Sequence, residues 1–169
     1  MSLTTVQTGM LGTGAILQVQ STALTAATFS TNSTTYVDVT GLSVSITPRS
    51  TSSKILVMYQ FNCGVDSAAQ GIFMQLVRNS TSIFVGDAAG SRPQTTSVNG
   101  VTSAYGILNM SGTYLDSPAT TSATTYKIQM MVNGGGANYG YVNRSVNDRN
   151  TSLYDPRTSS SITVMEVAG

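Results

Sequence analysis

From Ala15 to the C-terminus, short runs of β-branched and aromatic residues alternate with Ser/Thr/Gly/Asn/Pro punctuation, the pattern of strands separated by turns. No window carries a 3.6-residue apolar period long enough for a helix. Ten runs read as strands, at 15–20, 34–39, 42–47, 54–62, 71–78, 82–86, 102–115, 124–133, 138–143 and 160–167. Gly41 interrupts the 34–47 pattern and suggests a bulge or tight bend. Arg78 to Ser82, with Asn79 able to take a left-handed backbone, reads as a hairpin connection. Many short strands with frequent turns predict an all-β fold of about ten strands, a β-sandwich or jelly roll. Residues 15–169 are expected to form one β domain. Residues 1–14, small and polar with three glycines, read as an N-terminal arm or linker.

Composition narrows the chemistry. The chain has 8 basic and 7 acidic residues, 9% of 169, against a usual share of about 25%. With 40% apolar residues it is not a disordered composition. It contains no histidine, which removes His-based triads, histidine general bases and imidazole metal ligands. Cys63 is the only cysteine, so an intrachain disulfide and a multi-cysteine zinc site are excluded. A formal charge of +1 leaves no basic stripe for nucleic acid. Met1-Ser2-Leu3-Thr4-Thr5 has no basic region followed by an apolar run, so no secretory signal is expected. The longest apolar run, Ile55 to Tyr59, falls far short of a membrane span. The expectation is a non-enzyme without cofactor or metal.

The two faces of each strand carry the most information. In 42–47, Leu42, Val44 and Ile46 alternate with Ser43, Ser45 and Thr47, a half-buried strand. Elsewhere both faces are apolar: Ile55, Val57, Tyr59 and Phe61 oppose Leu56 and Met58. Ile72, Met74 and Leu76 oppose Phe73 and Val77, and Ile162 and Val164 oppose Met165 and Val167. A two-sheet sandwich has one interior, so the second face needs a cover, either another copy of the chain or loops folded across it. Ile55, Val57, Tyr59, Phe73, Ile162, Val164, Met165 and Val167 are the candidate self-association residues.

Three stretches, 30–62, 114–145 and the C-terminal Ser160-Ser161-Ile162-Thr163-Val164-Met165-Glu166-Val167-Ala168-Gly169, resemble a module of bacteriophage tail-fibre and virion surface proteins. That module is related to the trimeric heads of the C1q and tumour-necrosis-factor type. The resemblance covers most of 15–169 and implies a jelly-roll head that forms a homotrimer on the virion surface, capsid or tail, with the last strand mid-sheet near the three-fold axis. It also implies that the arm docks on other virion proteins. Within it, Thr34 to Leu42 reads as a strand–bend–strand unit passing between sheets around Gly41. The short arm favours a stand-alone head or decoration protein over a long fibre. Residues 87–101 and 144–158 depart from the module and read as variable loops, where specificity sits. A host-surface glycan is the alternative partner these loops offer.

Smaller motifs have ordinary readings. Five N-x-[ST] sequons, at Asn32, Asn79, Asn109, Asn143 and Asn150, follow from a chain in which Ser and Thr fill 48 positions. Asp148, Asn150 and Asp155 share one loop, while Asp87 and Asp116 end strands. Such oxygens suit Ca2+, but no EF-hand spacing organises them, and turns require short polar residues. Cys63 follows a buried strand and reads as a packed thiol. Gly134-Gly135-Gly136 reads as a hairpin turn. Among the tyrosines, Tyr154 sits in a loop beside Arg149 and Arg157, and these three are the candidate ligand residues.

Overall fold

The computed structural model describes residues 12–66, 71–100, 106–134, 136–151 and 153–169. Most of the expected arm, residues 1–11, lies outside them. So do residues 102–105, the expected start of the 102–115 strand. The described residues contain no helix. The strands are β1 (Ile16–Leu24), β2 (Ser30–Thr31), β3 (Val37–Ile46), β4 (Lys54–Val65), β5 (Ile72–Arg78) and β6 (Thr81–Ile83). They continue with β7 (Ser97–Asn99), β8 (Leu108–Asp116), β9 (Thr124–Val132), β10 (Gly140–Val142) and β11 (Ser160–Val167).

All pairings are antiparallel and fall into two sheets. In the first, β1 pairs β11 and β11 pairs β4, with β8 on the opposite edge of β4. β10 continues the β11 side of β4 at residues 63–65, and β2 pairs β10. In the second, the order is β3, β9, β5, with β6 and β7 sharing the remaining edge of β5. The inward residues of both sheets close on one core, a β-sandwich arrangement. It includes Leu42, Val44, Ile55, Val57, Phe61, Ile72, Met74, Leu76, Ile128, Met130, Ile162 and Val164.

Local chemistry explains the strand boundaries. Asn79, at φ 54°, provides the left-handed residue of the two-residue β5–β6 hairpin, in which Arg78 pairs Thr81. The expected passage between sheets at Gly41 does not occur, since both halves of β3 pair β9. The register instead slips between Asp38 and Ser43, and Gly41, at φ 84°, absorbs the bulge. The glycine run after β9 is likewise no hairpin turn. Gly134 and Gly136 have positive φ, but the chain leaves the second sheet at Val132 and enters the first at Gly140.

The molecule has two unlike ends. At one, here the base, lie the turns 47–53, 79–80 and 117–123. Gly14 N donates to Ala168 O at 2.8 Å and Ala168 N to Ala15 O at 2.9 Å, which brings the start of β1 beside the end of β11. At the other end, the crown, lie the last residues of β1, β2, β4, β7, β9 and β10.

Candidate functional site

The outer face of the first sheet is set by strand alternation. Its register aligns Val19 with Met165, Met165 with Leu56, and Leu56 with Leu115, one apolar row across β1, β11, β4 and β8. Val19 is 49% exposed and Leu115 48%, while Leu56 and Met165 are half-buried. The next row toward the crown is Ser21, Thr163, Met58 and Thr113, with Met58 exposed. Toward the base, Ile16 pairs Val167. Beyond the apolar row the face turns polar, with a shallow groove of about 370 Å3 between Met58, Gln60, Ser111, Thr113, Ser161 and Thr163.

This corrects the expected interface. Ile55, Val57, Ile162 and Val164 are 0% exposed and Tyr59 6%, so within one chain they are already spent. Odd positions of β4 and even positions of β11 face the second sheet, and no surface remains on them for a second copy. Met165 and Val167 lie on the outer face. Phe73 lies on the outer face of the other sheet, in a row with Val98 and Met131. The apolar residues that the outer face of the first sheet presents are instead Val19, Leu56, Met58 and Leu115, beside Met165 and Val167.

Loop cover, the other option open to a strand with two apolar faces, accounts for part of the second sheet. The excursion between β6 and β7 crosses its outer face, where Gln94 O accepts from Tyr36 Oη at 3.0 Å and Gln75 Nε2 at 2.7 Å. Gln75 and Val77 are buried. Residues 87–100 therefore act partly as a lid rather than a free loop. At the sandwich edge, Phe84 stacks on Tyr114 with ring centres 4.8 Å apart.

The 144–158 segment is held by charge pairs at the crown. Arg157 grips both oxygens of Asp148, from Nε at 2.7 Å and Nη2 at 2.8 Å. Arg144 lies 4.0 Å from Asp148 and stacks over the Tyr141 ring at 3.9 Å. The Asp155 side chain, fully buried, accepts from Ser145 Oγ at 2.9 Å and Arg149 Nε at 2.6 Å. Burial pushes its carboxyl up, but these donors outweigh that and hold it below the ordinary aspartate value. Asp148, Arg149, Asn150, Thr151, Asp155 and Arg157 enclose a pocket of about 370 Å3. Tyr154 is 56% exposed, with the Arg149 guanidinium 5.9 Å from its ring centre. The structure thus gathers Arg149, Tyr154 and Arg157 in one place.

Other expected groups are used structurally. Asp116 pairs with Arg78 and Asp148 with Arg157, so these carboxylates already hold cations. Asn143 is fully buried, its amide donating to Leu24 O and Ala26 O, which removes it as a glycan acceptor. Cys63 lies in the core, and burial pushes its thiol far up. Among the described residues no group of three or more Cys, Asp or Glu is placed to hold a metal ion.

Compared with known proteins, the chain matches no protein-family model and no curated protein.

Proposed function

We propose that the protein is a structural component of a bacteriophage virion surface, a jelly-roll head that assembles as a homotrimer in a capsid decoration or a fibre or tail. The observation that carries this reading is the uncovered row Val19, Met165, Leu56, Leu115, with Met58 beside it. An apolar stripe across four strands, on a face whose charged residue Lys54 lies at the base end of β4, is suited to a partner of the same kind. Met58, exposed at the centre of the sheet, would anchor it. The strand orders β1-β11-β4-β8 and β3-β9-β5-β6 support the jelly roll, because strands far apart in sequence pair as in two interlocked Greek keys. The two unlike ends support display: Gly14 and Ala15 enter β1 at the base, which is where an arm would dock on other virion proteins, and the Asp148–Arg157 pocket sits at the crown.

A second reading, in which the same head is a tail-fibre adhesin for a host-surface glycan, is favoured by the crown pocket beside Tyr154. Three such sites on one head gain avidity without new contacts.

Solution mass tests the assembly. Light scattering on the purified chain should give three copies of 17.6 kDa, about 53 kDa. A stable 17.6 kDa monomer at micromolar concentration would remove the homotrimer.

A further inference from the structure

The crown pocket has a charge arrangement that selects its ligand. It is lined by two arginines and two aspartates, with Asn150 and Thr151 between them. Each arginine already faces a carboxylate: Arg149 Nε is 2.6 Å from Asp155 and Arg157 is bidentate on Asp148. The Asp155 side chain is fully buried, so an anion that drew Arg149 away would strand a buried negative charge. A cation drawn to Asp148 would have to displace the bidentate Arg157 pair. A neutral polyol meets neither cost. Its hydroxyls both donate and accept, so they can use the spare lone pairs of Asp148, the remaining guanidinium hydrogens of Arg157 and the Asn150 amide while both ion pairs stand. The volume, about 370 Å3, lies at the small end of the ~300–1,000 Å3 range for ligand sites, room for one or two sugar rings. Tyr154, more than half exposed, has its ring centre 5.9 Å from the guanidinium of the pocket-lining Arg149, and an aromatic ring offers an apolar surface to the C–H face of a sugar.

We propose that the pocket formed by Asp148, Arg149, Asn150, Thr151, Asp155 and Arg157, with Tyr154 beside it, binds an uncharged saccharide. This rests on the adhesin reading, whose specificity it supplies. The loop is preorganised for such a ligand, because Ser145, Arg144 and Tyr141 fix the ion pairs from behind, so little ordering accompanies binding.

Ligand-observed NMR and calorimetry on the intact head provide the test. The probes are methyl glycosides of glucose, galactose, mannose and N-acetylglucosamine, with N-acetylneuraminic and glucuronic acids as charged comparators. At least one neutral glycoside should bind, with a Kd changing less than about twofold between roughly 50 and 500 mM NaCl, since no net charge is neutralised. Asn150→Ala and Tyr154→Ala, both at exposed positions, should each weaken it tenfold or more without changing the thermal midpoint or solution mass. Binding confined to the acidic sugars, or neutral binding that both variants leave intact, overturns the proposal. Adsorption of labelled head to host cells is measured in parallel. Adsorption that survives both variants overturns the pocket assignment alone, whereas no adsorption and no sugar binding overturns the adhesin reading with it.

Discussion

Asp116 shows how one side chain joins the two sheets. It stands at the end of β8 in the first sheet, 4% exposed, and accepts two hydrogen bonds of 2.8 Å from Arg78 of β5 and one of 2.7 Å from Tyr126 of β9. Tyr126 is fully buried; burial, then the adjacent carboxylate, drives its hydroxyl well above the usual phenol value, so it remains a donor throughout the working range. Asp116→Ala orphans the buried hydroxyl and the guanidinium together and is expected to cost about 2–4 kcal/mol, whereas Tyr126→Phe removes one bond and costs about 1 kcal/mol. Urea denaturation of both variants checks the ranking; equal losses would mean the two arms are not separately anchored. From sequence, Asp116 reads as a strand-ending residue or a cation ligand. Nothing local indicates that Arg78 and Tyr126 converge on it, because that meeting depends on how the sheets stack.

At the scale of the element, β11 contains the whole problem of the interface. Its alternate residues are apolar on both sides, and the one charged residue, Glu166, falls on the buried side. That charge argues for the wrong face when the strand is read alone. It is tolerated there because Gln18 Nε2 and the Arg49 backbone N–H both donate to it, at 2.6 and 2.7 Å. On β4 the sequence does hold a usable signal: the file Ile55, Val57, Tyr59, Phe61, Cys63, Val65 is apolar over six positions, while the opposite file meets Gln60 after Leu56 and Met58. The longer file is the core. Adjacent positions of β11 should therefore respond differently. Ile162→Ala opens a cavity in the core and is expected to cost about 2–5 kcal/mol with the assembled mass retained. Met165→Lys should leave the chain folded, by circular dichroism, and reduce its mass to that of one 17.6 kDa chain. Unfolding by Met165→Lys, or dissociation by Ile162→Ala without loss of stability, would reverse the assignment of faces.

For the whole molecule, the carboxyls set the response to acid. Glu166 at the base, Asp155 at the crown and Asp38 on the second sheet are all held below their ordinary values. For Glu166 and Asp155 burial acts the other way and is outweighed, by Gln18 and Arg49 in the first case and by Arg149 and Ser145 in the second. For Asp38 the hydrogen bond from Lys127 dominates, followed by that from Gln129. Groups with depressed folded values stabilise fully above their unfolded values and lose that contribution as pH falls through the folded ones. The thermal midpoint should be flat down to about pH 5 and fall below about pH 4, with a shallower fall in Glu166→Gln. With no histidine in the chain, no step is expected between about pH 6 and 7. A midpoint constant to about pH 3, or a step near the ordinary histidine value of about 6.5, would contradict this origin of acid sensitivity.

The division between what was legible and what was not follows the range of the forces involved. Strand runs, the Asn79 hairpin, the irregularity at Gly41 and the all-β class were set by residues within a few positions of one another. Alternation, turn chemistry and backbone freedom act at that distance. Which face of β11 turns inward, how the buried Glu166 is satisfied, and how Asp155 is buried against Arg149 were decided only by tertiary structure. The first depends on how the two sheets stack, the second on a neighbouring strand and a turn at the base, and the third on a loop closing on itself; β11 read alone holds no local information about which of its apolar faces its neighbours will cover.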